Sequence, residues 1–236
     1  MHYLVYSYPR YVHFLSALIW ASIIRYVGSR FHQVNDCLHV LYSDLFENNA
    51  DYRGQNRCLL VNHRITGTKN HMHYIWIIIH VHLQLCLISR KLNKVFNIQI
   101  LLQMLLLFTE TMTFFIHMYL LFTNTGNIII SDNRFLFINV NFQILNSIFF
   151  LTLNYVCQTV YDKINETVAI LHKLSSYNFD ENLHEQILQF ILQIKQREVK
   201  FGMEPFYLGY AFIREFYKTA LSVVVILIQM DLINIV

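Results

Sequence analysis

Charged residues are scarce in this sequence: they make up 14% of the 236 residues, whereas 55% are hydrophobic. Soluble domains carry about 25% charged residues, so a water-soluble protein of this size would have too few charges to cover its surface. The low charge and high hydrophobicity also exclude intrinsic disorder, and the six glycines and two prolines exclude collagen-like and proline-rich chains. Long hydrophobic segments are the usual cause of such a composition and indicate a membrane protein.

Clustered charge and reactive motifs are also missing. The net charge is only +3, without a basic run, which argues against nucleic acid as a partner. None of the four cysteines forms a C-x-x-C pair, so we expect neither a disulfide framework nor a zinc site. The chain has no glycine-rich phosphate loop, G-x-S-x-G or H-E-x-x-H motif. We therefore expect no catalytic residues, no metal, no cofactor and no enzymatic activity.

Four hydrophobic segments are candidates for membrane insertion. A helix needs about 20 apolar residues to cross a bilayer, and the first segment is shorter and follows Pro9 and Arg10, which we expect to interrupt it. We therefore interpret it as a partial span and the other three as full spans. In chain order the segments are residues 11–24, 95–122, 135–160 and 220–236.

The segments between these spans are more polar. Residues 75–122 predict one long helix that starts outside the lipid and contains the span 95–122. Residues 123–134 carry turn-forming Gly, Asn and Asp residues, and residues 25–74 predict a loop. Within 161–219, apolar residues at spacings of three and four predict an amphipathic helix rather than a span; they are Leu183, Ile187, Phe190, Ile191 and Ile194.

Basic residues predict the orientation of the chain. Segment 25–74 holds six Lys or Arg residues and segment 161–219 holds seven, whereas 123–134 holds only Arg134. Because basic loops remain in the cytoplasm, we expect 25–74 and the helices of 161–219 to be cytoplasmic and the C-terminus to be extracellular. The sequence thus predicts an all-α, polytopic membrane helical bundle that forms a single domain over 1–236.

Polar side chains inside the spans are the candidates for ligand binding. Gln103, Glu110 and His117 are seven residues apart and form one polar stripe on an apolar helix. Gln143 and Asn146 belong to a row of amides on the next span. Amides of this kind orient small ligands in mostly apolar pockets, but they also form hydrogen bonds that hold membrane helices together. The sequence leaves both interpretations open.

The last span carries the candidates for a pore lining. Ser222 and Gln229 are seven residues apart and share one face of the helix, with Val225 and Ile226 between them. A mostly apolar face with one amide is typical of a hydrophobic gate in a narrow pore.

The C-terminal third resembles the last helices of insect gustatory receptors. Their signature ends in Thr-Tyr, five apolar residues and Gln-Phe. Here Ser222 and Val223 stand at the first two positions, Gln229 matches the glutamine, and Met230 stands at the last position. Phe206 and Leu208 precede this motif at the spacing that the family shows. Further similarities occur in the same order over residues 31–236.

The resemblance implies a subunit of a ligand-gated, non-selective cation channel in the plasma membrane that detects small tastants. It implies a homo- or hetero-tetramer of chemoreceptor subunits embedded in membrane lipid, with the pore lined by the last helix and the C-terminus outside. It also implies an N-terminally truncated chain that begins near the family's fourth helix, with 25–74 as an intracellular loop.

Three alternatives remain open from the sequence. An odorant receptor of the same superfamily would keep the architecture and change the class of ligand. A transporter or assembly subunit would have no pore of its own. A G-protein-coupled receptor would place the C-terminus in the cytoplasm.

Overall fold

The computed structural model of the chain describes residues 2–46, 68–122, 133–176 and 181–235. This part of the chain contains five helices and one two-stranded antiparallel hairpin, and it confirms the predicted all-α class. The helices are α1 (His2–Phe46), α2 (Thr68–Phe122), α3 (Asn133–Ser175), α4 (Glu181–Gln196) and α5 (Tyr210–Ile235). The hairpin pairs β1 (Gly202–Met203) with β2 (Phe206–Tyr207). Most of the predicted turn 123–134 lies outside the described residues.

Two helices are long and apolar enough to cross a membrane. The qualifying stretches are His73–Tyr119 in α2 and Asn139–Ser175 in α3, and in each the most apolar window is only 22% buried within the chain. Apolar helices in the core of a soluble protein are mostly covered by the rest of the chain, so exposed apolar surface of this extent is typical of helices that contact lipid or another subunit. Over their described residues, α1 and α5 do not reach the same combination of length and apolar character.

The first helix differs from the sequence prediction. α1 runs through Pro9 and continues to Phe46, so the predicted interruption is wrong and 25–46 is helical. A single proline removes one backbone hydrogen bond without necessarily ending a helix. Beyond it, apolar side chains at helical spacing are fully or almost fully buried and stabilise the helix by packing; they are Ile24, Val27, Phe31, Val34, Leu38 and Leu41.

The chain divides into two compact units. Unit 1 consists of Met1–Leu18, Phe96–Gln158 and Phe201–Val236, and unit 2 consists of Ile19–Val95 and Thr159–Lys200. The predicted single domain therefore contains two separately packed parts, and all candidate ligand and pore residues belong to unit 1.

Unit 2 is packed around the amphipathic helix that the sequence predicts. The five apolar residues of α4 named above are its buried residues, which confirms this helix. Phe190 of α4 contacts the ring of His82 from α2 edge-on, with 5.3 Å between the ring centroids. Phe31 of α1 contacts the same ring at 5.2 Å. The imidazole is thus held between two aromatic rings in the core of this unit.

A buried polar network also joins α1 to α3 within unit 2. The side-chain amide of Asn35 donates to the carbonyl oxygen of Lys163 at 2.8 Å. The hydroxyl of Thr167 donates to the side-chain oxygen of Asn35, and both of these residues are fully buried. Because each of these buried polar groups has a partner, the hydrogen bonds offset the cost of burying them and favour one packing of the two helices.

The three cysteines of the described residues are in two states. Cys86 and Cys157 are free and buried, as expected for small apolar side chains. Cys37 is disulfide-bonded; the sequence did not predict this bond, although one bond is not the disulfide framework that it argued against. Sequence spacing does not report which cysteines the fold brings together.

Candidate functional site

The hairpin immediately precedes the last helix, α5. Gly202 has a φ of 114°, a conformation that favours glycine. The backbone N–H of Leu208 donates to the carbonyl of Phe201 at 2.9 Å and closes the hairpin. The next residue, Gly209, has a φ of 146° and turns the chain into α5.

Two amides of α3 hold the beginning of α5. Asn154 is fully buried, and its side-chain oxygen accepts the backbone N–H of Gly209 at 2.8 Å. The side-chain oxygen of Gln158 accepts the N–H of Tyr210 at 3.4 Å. The first N–H groups of a helix have no partner within that helix, so α3 supplies a cap from outside it. Asn154 and Gln158 belong to the same row of amides as Gln143 and Asn146 on the span 135–160, but the sequence offers no signal for this role.

Three of the five ligand-pocket candidates lie together between α2 and α3. The side-chain amide of Asn146 donates to a carboxylate oxygen of Glu110 at 2.6 Å. The amide of Gln143 donates to the hydroxyl of Thr111 at 2.9 Å. Thr111 is buried, and its hydroxyl donates in turn to the carbonyl of Leu107. These four side chains form one cluster, which we call the α2–α3 polar cluster: Glu110, Thr111, Gln143 and Asn146.

This cluster gives the carboxylate of Glu110, which lies in an apolar helix, a hydrogen-bond partner. An acidic side chain is costly at the centre of a bilayer and normally faces the bundle interior with a partner. Glu110 is half-buried and has that partner in Asn146. Gln143 and Asn146 are three residues apart, so α3 presents both amides on the face that meets α2. The residues are therefore available for either purpose considered above, ligand orientation or helix association.

The other two candidates are separate from this cluster. Gln103 and His117 are half-buried, and within the described ranges neither has a side-chain partner. The predicted stripe is thus present on α2, but only its central member is joined to the neighbouring helix. The described residues also contain no group of three or more His, Cys, Asp or Glu side chains that could hold a metal ion.

A cavity of about 600 Å³ lies elsewhere in unit 1, between α2, the hairpin and α5. None of the five ligand-pocket candidates lines it. Its walls are mostly apolar and come from three separate stretches of sequence, so no local pattern could have predicted it. The α2 and α5 walls include Met104, Phe108, Phe212 and Phe216.

The last helix packs through one face and leaves the other uncovered by its own chain. Ala220 and Val224 of α5 are buried and form a core cluster with Met112 of α2. The four predicted pore residues lie on the opposite side of α5, since successive residues are 100° apart. All four are exposed: Ser222, Val225 (45%), Ile226 (53%) and Gln229. The hydroxyl of Ser222 donates to the Lys218 carbonyl, and Gln229 is the one amide among the four.

Comparison with known families covers nearly the whole chain. A sequence profile described as 7tm Chemosensory receptor matches residues 1–234. No curated protein matches the sequence. The match agrees with the two long apolar helices and with the resemblance found from the C-terminal motif. The chain therefore belongs to the 7tm chemosensory receptor family.

Proposed function

We propose that the protein is a gustatory receptor: a subunit of a ligand-gated, non-selective cation channel that opens when a small tastant binds. Membership of a chemosensory receptor family supports a receptor rather than an enzyme. The proposal needs no cofactor and no catalytic residue, because ligand binding acts only by changing the relative stability of closed and open states.

The main support for this proposal is the face of α5 that its own chain leaves exposed. Its four residues combine two apolar side chains, one hydroxyl already bound to its own helix, and one amide. Such a face lines a hydrophobic gate when several copies surround a common axis. The opposite face is already used, because Ala220 and Val224 pack against α2.

The α2–α3 polar cluster is the proposed site of tastant binding. Its amides and carboxylate can replace the hydrogen bonds that a polar ligand loses when it leaves water. A ligand that binds between Glu110 and Asn146 would alter the contact between α2 and α3. Because α2 also packs against α5, that change can reach the proposed gate through direct contacts.

The proposed assembly is a homo- or hetero-tetramer of chemoreceptor subunits in the plasma membrane. The exposed apolar side chains of α2, α3 and α5 support burial by lipid and by other subunits. The distribution of basic residues supports cytoplasmic segments at 25–74 and 161–219 and an extracellular C-terminus.

Substitution of Gln229 tests the pore assignment. We expect Gln229→Ala to lower single-channel conductance while surface expression is kept, because the amide is the polar group that eases passage of a hydrated cation through an apolar constriction. Patch-clamp recording from cells that express the full chain measures this.

A matched amide outside the proposed pore serves as the control. Gln189 is exposed on α4, where it donates to Glu185 at 3.0 Å, and Gln189→Ala should leave the conductance unchanged. Equal conductance of Gln229→Ala and the parent would remove Gln229 from the pore. Absence of any current from well-expressed parent protein would favour the transporter or assembly-subunit alternative.

An odorant receptor of the same superfamily is the nearest alternative, and family membership is compatible with it. A panel of sugars and bitter compounds, compared with volatile apolar compounds, distinguishes the two. Currents evoked only by the volatile compounds would favour the odorant receptor.

A further inference from the structure

We propose that the cavity between α2, the hairpin and α5 binds one acyl chain of a membrane phospholipid, with the lipid phosphate held by Arg214 and Lys218. This site is separate from the proposed tastant site and rests on the membrane location of the chain, not on channel activity. Its volume of about 600 Å³ lies in the range of small-molecule sites, about 300–1,000 Å³.

The walls of the cavity suit a hydrocarbon chain and not a polar tastant. Ile100, Leu101, Met104 and Phe108 form the α2 side, and aromatic side chains form much of the α5 side. Thr219 also lines the cavity, but its hydroxyl donates to the carbonyl oxygen of Glu215 at 2.8 Å. Tyr207 and Glu215 are the other polar side chains of the lining, and the remaining wall is almost entirely apolar, so the cavity can cover a hydrocarbon chain along its length.

The charges at one edge complement a phosphate. Glu215 lines the cavity; Arg214 and Lys218 do not line it, but they pair with Glu215 at 3.3 Å and 3.7 Å. Both cationic side chains are largely exposed, at 77% and 73%. Two cations against one carboxylate leave a net charge of about +1 at this edge, which attracts a phosphodiester through charge-assisted hydrogen bonds.

The position of this edge along α5 fits the two parts of a phospholipid. Arg214 and Lys218 lie in the turns before residue 220, where the apolar span of α5 begins. A headgroup would lie beside these turns and an acyl chain would continue toward the apolar part. Leu105 and Phe206 line the cavity and are themselves more than half exposed, which leaves a route for the chain to enter from lipid.

Photolabelling of the full chain in lipid nanodiscs tests the proposal. The probe is phosphatidylglycerol with a diazirine near the end of one acyl chain, and mass spectrometry maps the adducts. We expect adducts on Met104, Phe108 and Phe212, and a decrease of about tenfold at these sites in Ala211→Trp, because the indole fills the cavity. Ala211 lines the cavity yet is exposed, so the substitution is compatible with folding.

Two further variants make the result specific. Leu105→Trp fills the cavity from the α2 side and should act as Ala211→Trp does. Leu221→Trp adds an indole to an exposed position outside the cavity and should leave labelling unchanged. Adducts spread evenly over the exposed apolar residues of α2 and α3, or full labelling in both cavity-filling variants, would overturn the proposal.

The phosphate is tested with a probe that lacks it. A fatty alcohol with the same diazirine should label the cavity less than the phosphatidylglycerol probe does. The double substitution Arg214→Gln with Lys218→Gln should remove that difference. Equal labelling by the two probes in the parent protein would overturn the assignment of a phospholipid. None of these outcomes depends on measuring a current, so they are independent of the pore assignment.

Discussion

Gly202→Ala is expected to destabilise unit 1 by about 1–3 kcal/mol, the usual cost of holding a non-glycine residue in an unfavourable backbone conformation. Gly202 has a φ of 114°, and a Cβ atom placed there would clash with the backbone oxygen of Phe206. Backbone cannot rotate away as a side chain can, so the hairpin must open to relieve the contact. The cavity would lose the wall formed by Gly202 and Phe206.

Thermal unfolding of the purified protein in detergent measures this effect, and Gly28→Ala is the matched control. A Cβ at Gly28 would lie 3.2 Å from a methyl group of the Val160 side chain, which can move. Alanine also favours a helix over glycine by up to about 1 kcal/mol, so we expect a change near zero. Equal stability of Gly202→Ala and the parent would mean that the hairpin is not closed as described.

Asn146→Ala is expected to have the second largest effect, on both stability and ligand response. It removes the donor that lies 2.6 Å from the carboxylate of Glu110. Hydrogen bonds between membrane helices contribute about 0.6–2 kcal/mol, and a carboxylate without its partner favours separation of α2 from α3. If the cluster binds tastants, the responses to the sugar and bitter-compound panel should fall in the same variant.

A double-mutant cycle isolates this interaction. Glu110→Ala, Asn146→Ala and the double variant should give a coupling energy of about 0.6–2 kcal/mol from thermal unfolding. Asn141→Ala is the control, because Asn141 is exposed on the same helix and donates only to the Phe137 carbonyl. A coupling energy of zero would show that the pair does not join the helices. Unchanged ligand responses beside a normal coupling energy would leave the cluster with its helix-joining role alone.

Periodicity predicted part of the helical structure, although it was missed over 25–46, which is helical. α4 illustrates why: its buried residues repeat at helical spacing, its charges lie between them, and one stripe determines which side packs. The predicted long helix over 75–122 is likewise part of one continuous helix, Thr68–Phe122. Such local patterns do not depend on contacts with distant segments, so the sequence reports them directly.

Features that depend on contacts between distant segments could not be predicted from the sequence. Asn154 caps α5 from 55 positions earlier in the chain, and no local motif marks that contact. The hairpin is two pairs of residues long, too short for an alternating pattern, although Gly202 and Pro205 are turn-forming residues. In the candidate site, the sequence selected Glu110, Gln143 and Asn146 as polar residues in apolar helices, but their pairing required the packing of α2 on α3.

The orientation of the chain in the membrane is tested most directly by epitope accessibility in intact cells. One tag follows Val236, and a second is inserted at the exposed Glu198, after the end of α4. We expect antibody to stain the C-terminal tag without permeabilisation and the Glu198 tag only after it, because basic segments remain in the cytoplasm. The reverse pattern, or a chain that leaves the membrane fraction without detergent, would contradict a multi-pass receptor with an extracellular C-terminus.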